Sequence, residues 1–523
     1  MRTKQSIKNV IIAVSLGIFV TIINFIAQRF FINYLGTEYL GLNSLFLSIM
    51  GMLSLAELGL GTAIVYNLYE PMHKKDTTRV TAYLNFYKNG YRLIAVSIII
   101  LSLLILPFLS SLVGDNALRT NIYVIFILFV ANTVATYLLS YKRSILYADQ
   151  KNYLINIVHL GTVIVINIIQ IFILVYTKNY YLYLVIKILG TIIENLIINR
   201  IVDLRYSIDR EPKKLTKAEK KAIYKNVYGL LYHNLGSFVR RGVPTITITG
   251  FLGLYAAGIY ANYFLVKSTI DMLFLNITTG LKASVGNLLV DKNKKESFIV
   301  FKRLQFIGSL LVTIWVSLFL VTSQDFITLW IGPHFAYSIG VTILFAIYLY
   351  LDLSKWTAYN NFKEAAGVFY EDRRVALAQL VLNIGVSLAL VQFMGVAGVI
   401  IGSIVGAAIP FFFSYPKYLY KKVLGRTYKT YYISIFSSFV VTLVSVMLAY
   451  AVSSTVSIDN LWLQLMAKAV ISIIIPLAVI WLVYHRTQEY KYLVKLVKNI
   501  LRIHAKDKHS NSLEADKNKN FKP

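Results

Sequence analysis

Apolar runs of about 20 residues recur from one end of this chain to the other, and no other feature limits its fold so strongly. In hydrocarbon every backbone amide and carbonyl must be paired within the segment, so runs of this length cross as α-helices; a barrel would show short alternating segments instead. Fourteen spans are predicted, near residues 9–33, 41–68, 93–113, 121–141, 153–176, 180–199, 227–253, 258–285, 304–323, 339–354, 376–393, 397–416, 431–453 and 462–484. They leave no room for a separate soluble domain. With 57% hydrophobic and 15% charged residues and a mean hydropathy of +0.63, the fold class is an all-α polytopic membrane protein. The first run has no small-residue cleavage site and is too long for a signal-peptide core, so it reads as a retained first helix.

The net charge of +29 is a topology signal. With the N-terminus inside, all but nine of the 53 Lys and Arg residues fall in inside segments. The nine are Arg119, Lys178 and seven within spans: Arg29, Lys187, Arg240, Arg241, Lys267, Lys282 and Lys468. Such a bias predicts an even number of spans with both termini cytoplasmic. It also argues against a nucleic-acid partner, because the charges lie between apolar spans and not on a folded basic surface. The connection predicted outside at 323–338 carries an amphipathic piece near 326–331.

The chain repeats itself weakly. Leu35-Gly36, four residues, then Gly41-Leu42-Asn43-Ser44-Leu45-Phe46 returns as Leu252-Gly253, four residues, then Gly258-Ile259-Tyr260-Ala261-Asn262-Tyr263, 217 residues later. Six spans separate the copies, so they share orientation and imply lobes related by an axis along the membrane normal. The predicted organisation is an N-lobe at 1–200, a basic linker at 201–226, a C-lobe at 227–416, two extra helices at 417–485, and a basic amphipathic helix with a polar tail at 486–523. That helix has the pattern of one lying on anionic inner-leaflet lipids. Gly398, Gly402 and Gly406, at every fourth position, predict close approach of a neighbouring helix.

Charge inside the membrane points to a site. Arg240 and Arg241 lie in the run 227–253, where a guanidinium costs about 3 kcal/mol unless it faces the bundle interior or water. Adjacent residues point about 100° apart, so one acid does not neutralise both. Gly236, Gly242 and Pro244 flank them, as in broken helices beside cavities. The expectation is a cationic cavity holding Arg240, Arg241, Lys267, Lys187 and Arg29, with His233, two turns before Arg240, and the polar Asn24 and Gln28 nearby. Guanidinium suits phosphate because its planar fork binds paired oxygens. Glu57, Asp271 and Glu194 are the intramembrane acids, available for ion coupling or for ion pairing; Lys267 and Asp271 are one turn apart.

Enzyme signatures are missing. The chain has no phosphate-loop or zinc-protease motif, and its histidines show no ligand spacing, so neither cofactor nor metal is expected. Zero cysteines exclude disulfides and thiolate metal sites.

One stretch carries a family resemblance. Leu35-Gly36, Gly41-Leu42, Leu53-Ser54-Leu55-Ala56-Glu57-Leu58-Gly59-Leu60-Gly61-Thr62-Ala63 and Asn67-Leu68-Tyr69-Glu70-Pro71 resemble the Wzx-type polysaccharide flippases of Gram-positive bacteria, within the multidrug, oligosaccharidyl-lipid and polysaccharide exporter (MOP) superfamily. The resemblance implies two six-helix lobes plus two C-terminal helices, and alternating access about a central cavity in the bacterial cytoplasmic membrane. Its implied cargo is an undecaprenyl-pyrophosphate-linked oligosaccharide, and its implied partners are a polysaccharide polymerase and chain-length machinery. A lipid II flippase fits the same physics. A multidrug exporter predicts a carboxylate-dominated cavity, and a membrane-embedded polymerase predicts an outside loop or acidic pair that the sequence lacks.

Overall fold

The computed structural model describes residues 2–57, 60–114, 120–207, 214–279, 293–368 and 372–498; these are helices and short connections, with no strand among them. Twelve helices among the described residues are long and apolar enough to cross a membrane. Two local features account for the difference from fourteen. The run 41–68 is interrupted, since Thr37–Leu53 gives way to a 3-10 turn at Ser54–Glu57 before helix resumes at Leu60–His73. Neither piece alone, at 17 and 14 residues, reaches the roughly 20 residues of a full span. The runs 227–253 and 258–285 belong to one segment, Lys217–Thr279, broken at Gly253 (φ 82°, ψ 176°).

That break matches the first copy of the repeat. Gly36 has φ 99° and ψ 168°, and helix restarts at Thr37 as it does at Leu254. Both glycines hold a conformation that a Cβ would strain, which is why the turn needs this residue type twice. The copies also pack reciprocally. A Cβ on Gly41 would overlap the carbonyl oxygen of Leu254, and a Cβ on Gly258 would overlap that of Thr37. Thr37 is the repeat equivalent of Leu254, and Gly41 of Gly258, so the crossing is self-complementary, as a local two-fold requires.

Contacts divide the chain into two compact units. The first comprises Met1–Gly280, Ile327–Leu351 and Gly367–Ser414. In its core Phe46 meets Phe126 and Phe129 edge-on at 5.2 and 5.5 Å. It also holds the antiparallel pair Arg373–Met394 and Val396–Ser414. There Gly398, Gly402 and Gly406 lie against Leu390, Ser387 and Asn383, so closely that side chains at the first two would collide; this is the close approach their spacing predicts.

The second unit comprises Leu281–Phe326, Asp352–Ala366 and Tyr415–Pro523. Its interior is an aromatic cluster of Phe301, Tyr359, Tyr420 and Tyr431, with Gln305 Nε2 donating to Tyr359 Oη at 2.7 Å. The sequence places Asp325 in an outside connection, but it lies inside the helix Lys294–Ile331, which ends only at Gly332 (φ 116°). No breaker stands between Ser323 and Ile331, so the helix continues and the amphipathic piece becomes its last turns. Asp325 therefore meets Lys468 at 2.7 Å, with Gln464 at 3.2 Å. The last described helical stretch, 488–498, turns Lys491, Lys495 and Lys498 outward and keeps Leu493 half-buried. The units are drawn by contact, whereas the lobes at 1–200 and 227–416 rest on span order and the repeat; the lobes carry forward as part of the proposed mechanism.

Candidate functional site

A cavity of about 620 Å³ lies in the first unit, beside the crossing of the two repeat copies. Its wall comes from both. Gln28 and Thr245 line it, as do Ser44 and Ala261, Leu47 and Phe264, Ser48 and Leu265, and Gly51 and Ser268. Each pair is separated by 217 residues, the repeat offset. The cavity therefore lies on the local two-fold. Its remaining polar wall is supplied by Asn43, Ser54 and Glu57, and Gln28 Nε2 donates to Asn262 Oδ1 at 2.5 Å.

Glu57 carries the one charge among the described lining residues. The 3-10 turn brings it off the axis of the helix before it, toward the helices Thr77–Ile105 and Ile122–Leu139. Tyr91 Oη donates to Oε1 at 3.0 Å and Tyr137 Oη to Oε2 at 3.2 Å, so each carboxylate oxygen has a phenol; the Tyr87 hydroxyl contacts that of Tyr91. A hydrogen bond to a carboxylate contributes about 1.5–3 kcal/mol, so the two phenols fix where the Glu57 side chain sits. Gly61 completes the arrangement. A Cβ there would lie 2.8 Å from Glu57 Oε1 and 2.9 Å from Tyr87 Oη.

The other predicted residues go to different places. Lys267, almost fully buried, is paired with Asp271 at 2.7 Å and lies over the Tyr348 ring at 4.6 Å, the one-turn ion pair that the spacing allows. Glu194 meets Arg143 at 2.8 Å and His159 at 3.2 Å, while Arg143 Nε also donates to Asn195. Lys187 lies over the Phe129 ring at 5.6 Å, and Arg29 and Asn24 are exposed. Lys187, Lys267 and Arg29 are not among the lining residues, so the described wall holds no lysine or arginine. Arg240, Arg241 and His233 fall in the helical segment Lys217–Thr279, and their side chains lie outside the described residues; Gly242, directly after the arginine pair, lines the cavity.

The sequence reading missed the hydroxyls of the wall. Ser44, Ser48 and Gly51 form one helical stripe at three- and four-residue spacing, and Ala261, Leu265 and Ser268 repeat it. Projecting the repeat offset onto those faces would have found them.

No protein-family model matches this chain, and no curated protein matches it by sequence. Solved structures do. The lipid II flippase MurJ in an inward closed conformation has a TM-score of 0.67 at 14% identity, covering 91% of this chain and 99% of that one. An inward-facing multidrug resistance MATE family transporter of the MOP superfamily has a TM-score of 0.59 at 14% identity, over 77% and 96%. A MOP superfamily transporter from Pyrococcus furiosus, described as having a binding pocket of reverse polarity, has 0.54 at 15% identity, over 78% and 94%. The fold is that of MOP superfamily structures. At these identities the likeness concerns the fold alone.

Proposed function

We propose that this protein is a flippase moving an undecaprenyl-pyrophosphate-linked oligosaccharide from the inner to the outer leaflet of the bacterial cytoplasmic membrane, for capsule or exopolysaccharide assembly. The observation that carries the reading is a cavity built from equivalent positions of two repeat copies, whose polar wall, apart from Glu57, consists of neutral hydrogen-bonding groups set among apolar ones. Gln28, Asn43, Ser44, Ser48, Thr245 and Ser268 offer donors and acceptors suited to sugar hydroxyls, which exchange water for protein partners at little net cost. Arg240 and Arg241, next to the lining residue Gly242, are assigned to the pyrophosphate, while the polyprenyl chain stays in lipid. Two lobes of like orientation, rocking about the cavity, give alternating access without enzymatic chemistry. Glu57 is assigned to ion coupling. The expected partners are a polysaccharide polymerase and chain-length machinery.

The likeness to a lipid II flippase favours a second reading, in which the cargo is lipid II. Deleting the gene separates the two. The first predicts lipid-linked oligosaccharide trapped on the inner leaflet and loss of surface polysaccharide; accumulation of lipid II instead would move the assignment to the second. In the same strain, Arg240→Ala with Arg241→Ala is expected to cut surface polysaccharide at least about tenfold at normal membrane abundance, the equivalent of losing one charge-assisted contact. Normal export by that variant would remove the pyrophosphate role.

A further inference from the structure

The two walls of the cavity in the first unit are equivalent in position and unequal in polarity. At two of the paired positions the first copy carries a hydroxyl and the second an apolar group, Ser44 against Ala261 and Ser48 against Leu265. At a third, Leu47 is answered by Phe264, the one aromatic ring among the described lining residues. Ala261, Phe264, Leu265 and Ser268 share one face of their helix, so the second wall is an aliphatic and aromatic strip with a single hydroxyl.

Phe264 is supported from within its own helix. Its ring stacks on that of Tyr260, one turn earlier, with centroids 6.0 Å apart and planes 25° apart, and Tyr260 is buried against Phe345 at 5.6 Å. Phe264 itself is half-buried and lines the cavity. The polar groups are directed too. Ser48 Oγ donates to the Ser44 carbonyl at 2.8 Å and Ser268 Oγ to that of Leu265 at 3.0 Å, so both present lone pairs to an incoming donor. Asn43 Oδ1 accepts from Tyr180 Oη at 3.4 Å, which leaves the Asn43 amide hydrogens to donate.

We infer that Phe264 is the platform on which one neutral pyranose of the cargo stacks, with its hydroxyls turned to Asn43, Ser44 and Ser48. A pyranose has an apolar face of C–H bonds and a rim of hydroxyls, the two chemistries that the two walls offer separately. An acidic sugar is selected against, because its carboxylate would enter beside Glu57 with no lysine or arginine among the described lining residues to offset it. The inference rests on the flippase reading for the sugar, and adds the residue that selects it and the class it belongs to.

Ligand-observed saturation-transfer NMR on the full chain, in a detergent without a sugar head group, tests it. The probes are the methyl glycosides of glucose, galactose, mannose and N-acetylglucosamine, with the methyl glycoside of glucuronate as the acidic control. At least one neutral glycoside should receive saturation, most strongly at the C–H protons of one ring face, and the glucuronate at least about fivefold less. Phe264→Leu, which copies Leu47 of the first repeat, should lower the signal about fivefold, the loss of one ring contact. Phe264→Tyr keeps the ring and should keep the signal. No saturation of any neutral glycoside, equal saturation of the glucuronate, or an undiminished signal in Phe264→Leu overturns the inference. The comparison of neutral and acidic probes needs no variant, so misfolding of a mutant leaves a decisive measurement. The readout also needs no export: failure of the flippase reading shows in the deletion strain as unchanged lipid-linked intermediates, whereas failure of the Phe264 platform shows in the spectra alone.

Discussion

The two repeat copies share a backbone and differ in chemistry. Gly36 and Gly253 hold the same left-handed turn, and Gly41 and Gly258 make the same carbonyl contact. Charge follows no such rule. Glu57 in the first copy corresponds to Phe274 in the second, which is completely buried; Lys267 and Asp271 in the second correspond to Met50 and Ser54 in the first. The geometry of the crossing is thus fixed by residues without side chains. The ionisable groups are placed one copy at a time, each with partners of its own. A symmetric scaffold can in this way present an asymmetric cavity wall, with a carboxylate on one side and neutral or apolar groups opposite.

Making the second copy resemble the first tests that division most severely. Lys267→Met reproduces Met50 but leaves Asp271 without its 2.7 Å partner, at a cost of about 3 kcal/mol, toward the lower end for a broken buried pair because Asp271 is partly exposed. Adding Asp271→Ser, which reproduces Ser54, should recover most of that loss in chemical unfolding of the purified protein. A double variant no better than the single would mean that Lys267 stabilises the helix chiefly through Tyr348.

The next largest effect belongs to the shared geometry. Gly41→Ala and Gly258→Ala each push a methyl into a backbone carbonyl that has no free rotor with which to move aside, so each should cost about 2 kcal/mol, and by similar amounts. Thermal unfolding of the two variants side by side checks the equality. A large cost at one position and none at the other would break the two-fold reading of the crossing.

A smaller effect is expected at the asymmetric wall. Glu57→Gln keeps the size of the side chain and removes its charge, and should lower export about tenfold, or 1.4 kcal/mol, with abundance unchanged. Tyr91→Phe deletes the 3.0 Å bond to the same carboxylate and should move export in the same direction by less. Full export by Glu57→Gln would make the carboxylate structural and remove ion coupling from it.

How much of this was readable from the sequence follows from the range of each interaction. The spans were legible because hydrocarbon thickness imposes one length on every helix, and the repeat was legible because only glycine suits Gly36 and Gly253. The Lys267–Asp271 pair was legible for a similar reason, since one turn of helix fixes its distance. Glu57 could be picked out as a charge in an apolar run, but its tyrosines could not. They lie 34 and 80 residues away and are reached only because the helix breaks at Ser54–Glu57. Arg143 was assigned to an inside connection by charge bias, yet it pairs with Glu194 from a short helix, Arg143–Ala148. Asp325 falls outside the predicted span because the helix runs about two turns beyond 323. A hydropathy window fixes the middle of a helix better than its ends, and the ends are where these ion pairs form.

The smallest effect concerns a contact that joins the two halves of the first unit and lies outside the apolar spans. Thr216 and Glu219 cap the segment Lys217–Thr279: Thr216 N–H donates to Glu219 Oε2 at 2.8 Å, and Glu219 N–H donates to Thr216 Oγ1 at 3.3 Å. Arg79, capped in its own helix by Asp76, reaches Glu219 Oε1 at 2.6 Å. The Thr216 amide, with the Arg79 guanidinium beside it, holds the Glu219 carboxyl below its ordinary value of 4.5. A depressed carboxyl stabilises the fold above its unfolded value and loses that contribution as pH falls through the folded one. Stability should therefore be flat from pH 7 to 5 as far as this group is concerned, and decline only below about 4.5. Glu219→Gln should remove that part of the decline, with a difference from wild type of less than about 1 kcal/mol at pH 7 because Arg79 is nearly half exposed. The difference should shrink further in 1 M salt. A loss at pH 7 that salt does not reduce would assign the effect to the helix cap alone, leaving the reciprocal glycine crossing as the stronger tie between the halves.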